Sequence, residues 1–129
     1  MKIQFSLFLT GAALFIAPLS LEAITPAMPD LAIEKTIQTS STFWKVKVKN
    51  IGHADSAPTT LKMIATPGGS YSCPVAAIKA GGTIDVPCKM PFKGQKDMRC
   101  EFILNPDKTI AEASYSNNRT TTLTNPKFN

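Results

Sequence analysis

The sequence predicts an all-β domain, an antiparallel sandwich of about seven strands. Apolar and polar residues alternate at period two in several short segments. Helical periodicity is poor, and Gly, Pro, Asn and Asp interrupt the chain at short intervals. The 129 residues suffice for one such domain and hardly for two.

The N-terminus is read separately. Lys2 precedes an uncharged apolar stretch, Ile3 to Leu19, interrupted at Pro18 and Ser20. Leu21-Glu22-Ala23 then supplies a small residue at a cleavage point, which describes a secretory signal peptide over residues 1–23. Cleavage after Ala27 is a second exit. An uncleaved membrane anchor competes, since about 20 apolar residues span a bilayer, but Gln4, Gly11 and Pro18 weaken it. There is no Cys near the exit, which disfavours a lipoprotein. Residues 24–29 read as a linker, 30–124 as the domain and 125–129 as a tail.

Within the domain, Leu31, Ile33 and Ile37 suggest a first strand over Leu31 to Gln38. In the second, Trp44, Val46 and Val48 point one way and Lys45, Lys47 and Lys49 the other, so one face is buried and one wet. Asn50-Ile51-Gly52 ends it. A third strand runs from Thr59 to Thr66 with Leu61, Met63 and Ala65 inward, and Pro67-Gly68-Gly69 turns the chain. A short extended piece follows within Tyr71 to Ile78. After Ala80-Gly81-Gly82, Ile84, Val86, Cys88 and Met90 face inward on a strand that Pro87 marks as an edge or a bulge. Beyond a loop at Pro91 to Lys96, Met98, Cys100, Phe102 and Leu104 share one face of the next strand. Asn105-Pro106-Asp107-Lys108 is a turn, and the last strand lies near Arg119 to Leu123.

From about Pro29 to Thr124 the chain resembles the CARDB family, the cell-adhesion-related domain found in bacteria. The residues are Pro29-Asp30-Leu31, then Val46-Lys47-Val48-Lys49-Asn50-Ile51-Gly52 with Ala54 and Ser56, then Ala80-Gly81-Gly82, and finally Asn105-Pro106-Asp107 with Ile110, Glu112 and Asn117-Asn118. Their order and spacing carry the match. The resemblance implies an immunoglobulin-like sandwich. Cys73, Cys88 and Cys100 are not part of the family's general pattern. The motif residues suit architecture: Gly52 and Gly82 permit positive φ, and Asn50, Asp107, Asn117 and Asn118 can bond nearby backbone in turns.

Export would place the three cysteines in an oxidising compartment. Cys88 and Cys100 share inward parity and are symmetric about Gly94, which favours a Cys88–Cys100 disulfide; Cys73–Cys88 and Cys73–Cys100 stay open. Cys73, beside Pro74, is then a candidate reactive thiol or intermolecular bridge. His53, the single histidine, lies in a different turn, so a Cys–His nucleophile is disfavoured. The cysteine gaps are too long for a zinc site. Asn105, Asp107, Glu112 and Asn117 offer oxygens for calcium, but lack the dense alternating acids of a calcium loop, and turn capping explains them better. The expectation is no metal and no cofactor.

The formal net charge of +5 favours anionic surfaces but is too dilute to indicate nucleic acid. Lys45, Lys47 and Lys49, joined by Lys62 on a neighbouring strand, form a row that could face a polyanion or simply be a solvated sheet face. Trp44 is the expected core anchor. Asn118-Arg119-Thr120 is a glycosylation sequon read as accidental. With no nucleophile–base pair, carboxylate dyad or phosphate loop in view, an enzyme is not expected. The expected function is a secreted or periplasmic, non-enzymatic interaction module that binds a protein or an anionic envelope polymer. It touches a membrane only through an uncleaved signal. The alternatives are a protease inhibitor inserting the loop Pro91 to Asp97 and an accessory domain of an envelope enzyme.

Overall fold

Period-two alternation becomes seven strands in the computed structural model, which describes residues 26–90 and 97–128. They are β1 (Leu31–Gln38), β2 (Phe43–Asn50), β3 (Thr59–Thr66), β4 (Ser70–Val75), β5 (Thr83–Lys89), β6 (Arg99–Leu104) and β7 (Arg119–Leu123), followed by a 3-10 turn at Pro126–Phe128. The proposed signal segment and the loop 91–96 lie outside the described residues.

The strands form two antiparallel sheets in the orders β1-β2-β5 and β4-β3-β6-β7. The seven-strand sandwich expected from the sequence is therefore present. Trp44, Val46 and Val48 of β2, Val86 and Cys88 of β5, Leu61, Met63 and Ala65 of β3, and Cys100, Phe102 and Leu104 of β6 are all buried. Ile84 packs against this layer from its edge. Each large apolar side chain removed from water contributes about 1.5–3 kcal/mol. Trp44, from one sheet, meets Phe102, from the other, edge to face, with ring centroids 5.3 Å apart. This contact links the two layers near one end of the core.

β1 departs from simple alternation. Its register against β2 shifts between Ile33 and Lys35. The extra residue of such a bulge reverses the parity beyond it. Ile37, which simple alternation would set on the face of Leu31 and Ile33, therefore pairs with Lys45 on the outer face, and Gln38 turns into the core opposite Trp44. Pro87 sits on β5, an edge strand, where its missing N–H costs no ladder bond.

The two flanks of the sandwich differ. On one, β4 packs against β5. On the other, β1 lies over β6 and β7. There the Ile33 N–H donates to the Asn117 carbonyl at 3.2 Å, and the Asn125 N–H donates to Gln38 Oε1 at 2.6 Å. β1 and β7 thus run side by side in the same direction, tied near each end.

Candidate functional site

The cysteines pair differently from the expectation. Cys73 and Cys88 form the disulfide, with Cα atoms 5.5 Å apart, and Cys100 is free and buried. The expected Cys88–Cys100 bond is corrected by the sheet order: the strand against β5 is β4, whereas β6 is separated from β4 by β3. Inward parity alone could not show which facing strand β5 would meet. Cys73, held in the bond, is not a reactive thiol, and the Cys73–His53 pairing falls with it.

Two buried polar clusters fix the loops at one end. Asn50 is fully buried. Its Oδ1 accepts from the backbone N–H groups of Asp30 and Gly52, and its Nδ2 donates to the carbonyls of Ala54 and Ile78. All four of its bonding positions are filled. Gly52 packs against backbone: a Cβ there would stand 2.5 Å from Asp30 N and closer still to Met28 O. Its need is space, not positive φ, which in this region belongs to Gly81 (φ 79°) and not to Gly52 or Gly82.

The second cluster centres on Glu112. Oε1 accepts from the Leu31 N–H at 2.7 Å, and Oε2 accepts from Asn105 Nδ2 at 2.8 Å and from Asn118 Nδ2. The carboxylate ties β1 to the loops that follow β6 and precede β7. Asn105, with φ 49°, also accepts from the Ile110 N–H and donates to the Ile110 carbonyl, so it holds the turn. Asp107, expected in that role, is exposed and its side chain takes no part in it. Asn117 and Asn118 work across the chain: Asn117 Nδ2 donates to Asp30 Oδ1 at 3.1 Å, and Asn118 to Glu112. The sequon asparagine, Asn118, is buried.

The lysine row is real on one sheet only. Lys45, Lys47 and Lys49 share the outer face of β2, and the ladder adds Lys35 opposite Lys47 on β1. Asp85 of β5 also faces Lys47. Lys62 lies on β3, in the other sheet, so the thickness of the sandwich separates it from the row. Sequence could not say which strands share a sheet.

The four sheet edges are β1, β5, β4 and β7. β4 carries Pro74 and β5 carries Pro87, β1 is bulged, and β7 pairs with β6 in unbroken register and has neither device. Thr124 N–H and the Asn118 carbonyl point back toward β6. By alternation, the amides of Arg119, Thr121 and Leu123 face away from β6, along the free edge. Leu123 is 58% exposed.

Between β1 and β7 lies a cleft of about 310 Å³, lined by Lys35, Gln38, Trp44, Thr122, Leu123 and Asn125 among others. Gln38 was not a candidate in the sequence, because nothing there announces the bulge that turns it inward.

A family model described as CARDB matches residues 28–122. Among curated proteins none matches. Among solved structures, one domain of a protein described as a cell surface protein from Methanosarcina acetivorans is 17% identical, with a TM-score of 0.65, covering 74% of this chain and 90% of that one. The CARDB domain of a Pyrococcus furiosus protein, solved in complex with di-metal ions, is 19% identical, with a TM-score of 0.58, covering 73% and 84%. At these identities the likeness concerns the fold, and it is the family model, spanning both sheets from the linker to β7, that assigns membership: this chain belongs to the CARDB family.

Proposed function

We propose that this chain is exported and works outside the cytoplasm as a non-enzymatic interaction module, to which a partner protein adds a strand along the free edge of β7. The observation that supports this is the unequal protection of the sheet edges. Three carry a proline or a bulge that discourages pairing; β7 carries neither, and the bonds that tie β1 to that flank fall at Asn117 and Asn125, outside the five residues of β7. β7 is five residues long, and its outward amides offer a short ladder to an extended peptide. The family match and the cell-surface description of the Methanosarcina neighbour agree with a role at the envelope. No helix among the described residues is long and apolar enough to cross a membrane.

The test is a photo-crosslinking residue at Leu123 in cells expressing the full chain, with fractionation to follow export. A partner captured by the unmodified edge and lost with Thr121→Pro supports the reading. The proline removes an outward N–H and no bond to β6. Equal capture with and without the proline, or retention of the chain in the cytoplasm, overturns it.

The lysine face supports a second reading, an anionic envelope polymer laid across β1 and β2. Lys35, Lys45, Lys47 and Lys49 concentrate positive charge there, with Asp85 opposing it. Polymer binding that survives Glu at positions 45, 47 and 49 removes this reading. The alternative of protease inhibition rests on the loop Pro91 to Asp97, of which only Asp97 is among the described residues.

The di-metal ions of the Pyrococcus domain do not transfer to this chain. Among the described residues no three His, Cys, Asp or Glu side chains cluster to hold a metal. The nearest oxygen set has Glu112 at its centre, and both of its oxygens already accept from N–H donors. The residues do not fit such a site.

A further inference from the structure

We propose that the cleft between β1 and β7 binds a carboxylate group, with the indole Nε1–H of Trp44 and the amide Nε2–H of Gln38 as its donors. Gln38 and Trp44 are cross-strand partners, and both are buried, at 8% and 2% exposure. Opposed residues on one face have neighbouring side chains. Gln38 Oε1 accepts from the Asn125 N–H, which fixes the other end of the amide as the donor. Neither Gln38 Nε2 nor Trp44 Nε1 has a hydrogen-bond partner among the described residues. Buried donors are almost always paired, because leaving one unpaired is costly. Both residues line the cleft, and their unpaired donors are buried beneath its surface, so a small side-chain shift is needed to present them to an acceptor.

The surroundings choose the acceptor. Lys35 lines the cleft, and among the described residues no acidic side chain does. An anion is therefore favoured over a neutral carbonyl. Two donors match the two oxygens of a carboxylate, and Ile37 and Leu123 suit an aliphatic group next to it. At about 310 Å³ the cleft holds a small group and not a folded surface. A peptide chain terminus and a small free acid both carry this chemistry. The site does not depend on strand addition at β7.

Trp44 is the only tryptophan, so its indole N–H gives one resonance in a nitrogen–proton correlation spectrum of the full chain. Butyrate and acetyl-alanyl-leucine, both as acids, are expected to shift that resonance to saturation, and their amides to leave it in place. Gln38→Glu keeps an acceptor for the Asn125 N–H, removes the donor and adds repulsion, so it should weaken binding by about tenfold or more. Tighter binding of the peptide acid assigns the site to a chain terminus; tighter binding of butyrate assigns it to a free acid. The proposal is overturned by an indole resonance that neither acid moves, by acids and amides acting alike, or by undiminished binding to Gln38→Glu. The acid–amide comparison uses the unmodified chain, so it decides the matter even where the variant fails to fold.

Discussion

Cys73 on β4 and Cys88 on β5 join the two sheets along one flank of the sandwich, their Cα atoms 5.5 Å apart. The bond closes a separation of 15 residues, for which the chain-entropy model gives about 3 kcal/mol. Replacing both cysteines with alanine should lower stability by about that amount, seen as a lower denaturant midpoint. Non-reducing peptide mapping should recover Cys73 and Cys88 in one linked pair, with Cys100 alone.

Burial pushes the Cys100 thiol above its ordinary pKa. As pH rises into the alkaline range, the unfolded chain loses this proton first and the folded chain retains it. The folded state then binds more protons, so stability from this group is intact at neutral pH and falls as pH climbs through the raised value. A thiol reagent at neutral pH should label Cys100 slowly in the native chain and quickly after unfolding. Cys100→Ser should remove the alkaline loss attributable to this group.

Gly52→Ala should destabilise by about 3 kcal/mol, since the added methyl meets the backbone of Met28 and Asp30, which cannot swing away as a flexible side chain would. Gly81→Ala is the contrast. Nothing lies within 4 Å of a Cβ there, and only the positive φ of 79° opposes it, at a cost of about 1 kcal/mol. Thermal or urea unfolding of the two variants separates crowding from backbone strain.

Glu112→Ala should cost about 3–5 kcal/mol, because it strands the Leu31 N–H and the amides of Asn105 and Asn118 in a buried setting. Glu112→Gln keeps the shape and can keep an oxygen on the Asn105 and Asn118 amides, but it then turns its own N–H group toward the Leu31 N–H, so it should recover only part of the loss. Hydrogen exchange at Leu31 should accelerate in both variants.

Strand identity was legible because the pleat imposes alternation on side chains: Trp44, Val46, Val48, Phe102 and Leu104 could be assigned inward from sequence and are buried. What alternation lacks is any record of which strands become neighbours. That omission misassigned the partner of Cys88 and placed Lys62 beside the wrong row. A bulge is equally silent, and one extra residue exchanged the places of Ile37 and Gln38. Glu112 stood out as an acid among turn residues, yet its bond to the Leu31 N–H spans 81 residues and has no local signature.

The shared direction of β1 and β7 has a mechanical consequence. The chain enters the sandwich at one pole and leaves at the other, so tension between residues 30 and 124 pulls along the strands. Such a load must shear the ladders of β1 against β2 and β7 against β6 all at once instead of unzipping them bond by bond. Once those ladders yield, the covalent tie at Cys73 and Cys88 keeps the segment between them out of the lengthening tether.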